Sequence, residues 1–71
     1  MSSSTFKIKE EFIHLNQLLK ALGWVDNGGD ANTAIINNEV QVNGNTETRK
    51  RNKIRAGDCV EFNKQKVVVE N

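Results

Sequence analysis

The segment Val40-Gln41-Val42-Asn43-Gly44 constrains the fold more than any other stretch of the chain. Valines alternate with a polar residue, the period of a strand with one buried face. Asn-Gly follows, and because both residues tolerate positive φ the pair predicts a tight hairpin whose twist matches that of its strands. Residues 46–48 are expected to return as the partner strand. The chain then turns cationic. Arg49, Lys50, Arg51, Lys53 and Arg55 hold five of its ten Lys and Arg residues, with no acid among them before Asp58. A hairpin that ends in such a run is suited to holding phosphates.

The totals narrow the function classes. Seventy-one residues without proline predict one domain, with residues 1–4 as a frayed polar terminus and residues 5–71 as the folded unit. A domain of this size buries about 60% of the surface its unfolded chain exposes, which leaves room for one modest core and little for a deep catalytic cavity. The net charge of +1 excludes a uniformly basic nucleic-acid binder, so contact with phosphates has to come from local arrangement. Cys59 is alone and cannot form an internal disulfide. No apolar run approaches the roughly 20 residues that cross a bilayer, and no signal-peptide core follows the Met-Ser-Ser-Ser-Thr start. A cytoplasmic protein is expected.

Taken in order, Phe6 and Ile8 alternate with Lys7 and Lys9 as a short strand. Leu15, Leu18, Leu19 and Leu22 form one stripe of a helix that Gly23 stops. Asp26 or Asn27 caps a second helix, with Asp30 in its positive first turn and Ala31, Ala34 and Ile35 on one face. Small alanines let the two helices approach closely. Asn38 suits the left-handed residue that closes the second helix. After the basic run, Ala56-Gly57-Asp58 turns the chain into a strand with Val60 and Phe62 inward, and Lys66 to Val69 form the last strand.

These landmarks resemble the S4 RNA-binding domain. The resemblance rests on Leu15 to Gly23, Ile35 and Ile36, the Val-x-Val-Asn-Gly of residues 40–44, and Gly57-Asp58-Cys59-Val60. The run Glu-Thr-Arg-Lys-Arg-x-Lys-Ile of residues 47–54 is similar to the small stand-alone bacterial S4-like proteins of the YbcJ type. The resemblance implies an α+β domain of the S4-like (αL motif) kind, two short helices packed on a small, mainly antiparallel sheet, that binds structured RNA, often ribosomal RNA. In larger relatives the module delivers RNA to a separate catalytic domain. The ribosomal-type pattern has arginines where this chain has Gly28 and Asn32, which moves the weight of binding towards residues 49–55.

The candidate RNA-binding residues are therefore Arg49, Lys50, Arg51, Lys53 and Arg55, extended by Lys20, Gly28, Gly29, Asn32 and Asn43. Each cation set against a phosphate releases counterions, and arginine can make two parallel hydrogen bonds. Gly28-Gly29 at a helix start offers backbone N–H groups. Asn43 serves its turn first. His14 reads as a capping or packing residue, and Trp24 as one that closes the core. One His and one Cys assemble neither a catalytic set nor a metal site, so no enzyme, cofactor or metal is expected. The competing reading is a protein-interaction adaptor that adds Val67 to Val69, as an exposed edge strand, to a partner sheet while the basic loop meets an acidic surface.

Overall fold

The computed structural model describes residues 2–71. In chain order these form β1 (Ser2–Lys7), β2 (Ile13–His14), α1 (Leu15–Ala21), α2 (Gly28–Ile36), β3 (Val40–Val42), β4 (Asn45–Thr46), β5 (Lys53–Ile54), β6 (Cys59–Phe62) and β7 (Gln65–Glu70). Five strands make one sheet in the order β1-β7-β6-β3-β4, and β2 with β5 makes a separate two-stranded ladder. All pairs are antiparallel except β1 with β7.

Each helix forms where its apolar spacing and its caps agree. Leu15, Leu18 and Leu19 of α1 are fully buried. At its end the N–H of Gly23 donates to the Lys20 carbonyl (3.0 Å) and that of Trp24 to the Leu19 carbonyl (3.1 Å). This paired closure needs a left-handed residue, and Gly23 supplies it with φ +76. Helix α2 begins at Asn27, whose side chain accepts from the Asp30 N–H at 2.9 Å, and closes in the same paired way at Asn38, with φ +65. Its buried face is Ala31, Ala34 and Ile35.

The two helices cover one face of the sheet. Val40, Val60, Val67 and Val69 point into the core from the strands, and Ile8 and Ile54 complete it. Burying a Leu, Ile or Val side chain fully stabilises by about 1.5–3 kcal/mol, so truncating Leu18 to Ala would cost about 2–5 kcal/mol. Trp24 and Phe62 are half-buried and stack at 6.3 Å between ring centroids, closing the core as the sequence suggests for Trp24.

Three expectations are corrected. Residues 2–4, expected to fray, pair with residues 65–67 in parallel register, and Met1 lies outside the described residues. The return strand of the Asn-Gly hairpin is Asn45–Thr46, one residue earlier than expected at its start, because the two-residue loop sets Val42 opposite Asn45. Strand β7 is not an edge. It lies between β1 and β6, so the backbone groups of Val67 to Val69 are already engaged and the adaptor reading loses its docking strand.

Candidate nucleic-acid interface

The basic run joins β4 to β5 as a loop fastened at three points. First, the backbone N–H of Leu15 donates to the Asn52 carbonyl at 2.9 Å, and that of Asn16 to the Lys50 carbonyl at 3.0 Å. The first N–H groups of a helix lack intrahelical acceptors. Here His14 at the cap position offers no side-chain acceptor, and the loop's carbonyls take that role. Second, His14 pairs with Lys53 and Ile13 with Ile54, and the fully buried Ile54 anchors the end of the loop in the core.

The third fastening is Glu47. Its carboxylate accepts from the Arg49 backbone N–H (3.0 Å), from Arg49 Nε (2.8 Å) and Nη2 (3.3 Å), and from Asn52 Nδ2 (3.4 Å). The Glu47 side chain is 14% exposed and that of Arg49 76%, so the acid sits beneath the arginine it orders. The hydrogen bond from the Arg49 side chain holds the Glu47 carboxyl below its ordinary pKa, with partial burial opposing, and Glu47 in turn raises that of Arg49.

At the far end, Asp58 accepts from the Arg55 N–H at 2.8 Å and from Asn43 Nδ2 at 3.2 Å. Asn43 Oδ1 accepts from the Cys59 N–H at 2.9 Å. Both ends of the Asn43 amide are thus used in tying the hairpin turn to the loop's exit, and its φ of +52 serves the turn. The turn from Arg55 to Asp58 closes through the Asp58 N–H and the Arg55 carbonyl (3.0 Å) around Gly57, whose φ is +96.

Arg49, Arg51, Lys53 and Arg55 consequently line one shallow concavity of about 440 Å³, with Asn52 in its wall. Lys50 is exposed but does not line it. Among the described residues, the ion pair from this run is Arg49 with Glu47; Arg51, Lys53 and Arg55 pair with no acid.

The other candidates lie elsewhere. Lys20 is exposed in the last turn of α1, about 7 Å along the helix from Leu15, where it complements the negative helix end. Gly28 and Gly29 begin α2 beneath the Asn27 cap, and a Cβ on Gly29 would come within 3.2 Å of Asn27 Oδ1, so glycine there keeps room for the cap. Asn32 does not face outward as a phosphate contact should. It is half-buried, and its Oδ1 accepts from Asn16 Nδ2 at 3.1 Å, joining the two helices. Sequence reasoning missed Asn16, Glu47 and Asn52, which carry no charge pattern of their own beyond Glu47 standing two residues before Arg49. His14 makes no capping bond; its ring lies 5.5 Å from that of Phe12.

Comparison with known proteins places this geometry. The chain is 45% identical over 60 residues to the YbcJ proteins of Escherichia coli (strain K12) and Shigella flexneri, covering 83% of this chain and 86% of each relative. The solution structure of YbcJ from E. coli, described as revealing an αL motif involved in RNA binding, superposes with a TM-score of 0.73 at 43% identity, over 94% of this chain and 86% of that one. The S4 domain profile matches residues 6–70, from β1 through β7. With nearly the whole described fold inside that match, the chain belongs to the S4 domain family.

Proposed function

We propose that the protein is a non-catalytic, cytoplasmic RNA-binding module that grips the phosphates of folded RNA, with ribosomal RNA as the first candidate. The observation that carries this reading is the gathering of Arg49, Arg51, Lys53 and Arg55 around one open concavity, three of them without an acidic partner among the described residues. Arg51, Lys53 and Arg55, held by a docked loop beside the Glu47-paired Arg49, can follow the closely spaced phosphates of a structured RNA, and two bonds from Arg51 or Arg55 give direction as well as attraction. Double-stranded RNA is read mostly by shape and backbone, which suits a site of charge rather than of donor and acceptor pattern. RNA is favoured over DNA because the YbcJ structure is described with an RNA-binding αL motif. Lys50, exposed in the same loop, extends the cationic surface at longer range.

The test is fluorescence anisotropy with folded ribosomal-RNA fragments, single-stranded RNA and duplex DNA over a salt series, beside an Arg51→Glu, Arg55→Glu variant. Both side chains are exposed and, among the described residues, free of ion pairs, so their reversal removes no folded-state ion pair, and the variant's fold is checked by circular dichroism. Folded RNA should bind best, with a logarithmic salt slope of roughly −0.7 to −0.9 per phosphate neutralised that shrinks in the variant. Equal, weak binding of all three by both proteins would sink the reading.

A further inference from the structure

Beside the basic loop lies a second cleft that phosphate binding leaves unexplained. It has a volume of about 560 Å³, within the roughly 300–1,000 Å³ of ligand clefts, and Phe6, Ile8, Phe12 and His14 contribute to its wall. Of the chain's three phenylalanines and one tryptophan, Phe6, Trp24 and Phe62 pack on the core. Phe12 does not: it is half-exposed and meets the His14 ring at 5.5 Å, with 32° between the planes. Lys53 holds its ammonium 5.0 Å from the Phe12 ring centroid and also lines the basic concavity, so one side chain joins the two depressions. Lys7 and Lys9 stand at the cleft with Glu10 as the acid among them, which leaves its surroundings cationic once Lys53 is counted.

An aromatic pair held out of the core, flanked by cations continuous with a phosphate-binding loop, has the composition of a stacking platform for a base on a charged backbone. We infer that an unpaired nucleobase of the bound RNA stacks on Phe12 and His14 while the phosphate beside it meets Lys53. This rests on the RNA-binding reading and adds a preference to it: RNA with a bulged or looped base next to a stem is favoured over an unbroken duplex. Lys53 links the phosphate and base contacts, because its ammonium can leave the Phe12 ring for a phosphate without moving the paired backbone of β2 and β5.

The experiment compares two stem RNAs of equal phosphate number, one fully paired and one with a single bulged 2-aminopurine, by anisotropy and by the fluorescence of that base. Wild type should bind the bulged RNA about 10-fold more tightly, in the range that base–aromatic stacking supplies, and quench the 2-aminopurine. Phe12→Ala should bring the bulged RNA to the affinity of the duplex with an unchanged salt slope, and Phe12→Tyr should retain the preference. Quenching is read on the wild-type protein, so the outcome stands whether or not Phe12→Ala folds. Equal affinities for the two RNAs with no quenching, but with an ordinary salt slope, would overturn the base site and leave the phosphate reading standing. No binding of either RNA at low salt would overturn both.

Discussion

The backbone N–H of Asn16 donates to the carbonyl of Lys50 at 3.0 Å, so the second residue of helix α1 is capped by the middle of the basic run. Together with the bond from Leu15 to the Asn52 carbonyl, this makes the loop part of the helix start. The carbonyls are turned towards the positive helix end and the cationic side chains project into solvent. A flexible basic tail would have to acquire that order on binding RNA, at an entropic cost; this loop has much of it beforehand.

Giving α1 a side-chain cap should separate its helical role from its binding role. His14 has the extended backbone of a cap position (φ −69, ψ 143) but makes no side-chain cap bond. In a His14→Ser variant the hydroxyl can accept from the Gln17 N–H, with Gln17 at the partner position of a capping box. Urea denaturation should show a gain of about 0.5–1 kcal/mol, while the preference for a bulged RNA falls.

The Asn63-Lys64 hairpin loop between β6 and β7 carries avoidable strain. Phe62 stands opposite Gln65, and both loop residues have positive φ, +52 and +65. Asparagine tolerates that region and lysine does not, at roughly 1 kcal/mol. Lys64→Gly should raise the urea midpoint by an amount worth about 0.5–1 kcal/mol, with the slope of the transition unchanged.

At Asn43, conformation and hydrogen bonding can be told apart by two substitutions. Asn43→Gly keeps the positive φ but loses the bonds to Asp58 and the Cys59 N–H, and should cost about 1 kcal/mol. Asn43→Ala loses both and should cost about 2–3 kcal/mol. Equal losses in thermal unfolding would show that the turn geometry contributes nothing.

The Glu47 carboxyl has a folded pKa below its ordinary value, chiefly through the Arg49 side-chain bond. Its contribution is therefore complete above the ordinary glutamate value and is lost as the pH falls through the lower folded one. The Arg49 amide, which donates to Glu47 Oε2, should report this by NMR as a shift with a midpoint below the usual glutamate range. In Glu47→Gln that titration should vanish.

Asn32 and Asn16 are expected to act as a pair. Asn32→Ala removes the acceptor of Asn16 Nδ2, and Asn16 Oδ1 is already buried without a partner, so the Asn16 amide would lose its side-chain contact. The cost should be about 1–2 kcal/mol, and an Asn16→Ala, Asn32→Ala double variant should be less destabilised than the sum of the two single ones.

Much of the local structure was legible from residue order alone. The leucine stripe, the Gly23 and Asn38 stops, the Asn-Gly turn and the exposed basic run are properties of neighbours within a few residues, set by helical period, by tolerance of positive φ and by charge. The partners of those elements were not. Val67 to Val69 read as an edge strand until Ser2–Lys7 paired alongside it, and that pairing joins the two ends of the chain. Asn32, a candidate in a sequence that lacks the family's charge there, has its Oδ1 engaged by Asn16 of α1, a partner 16 residues away that residue order does not indicate. Phe12 has no period or motif to mark it; only the pairing of His14 with Lys53 sets it beside the basic loop. Residue order sets where the chain turns, which faces are apolar and where its cations gather. Tertiary structure alone decided which cations share one concavity and which polar groups are used up inside the fold, because a hydrogen bond or a strand pairing between distant residues depends on how the whole chain packs.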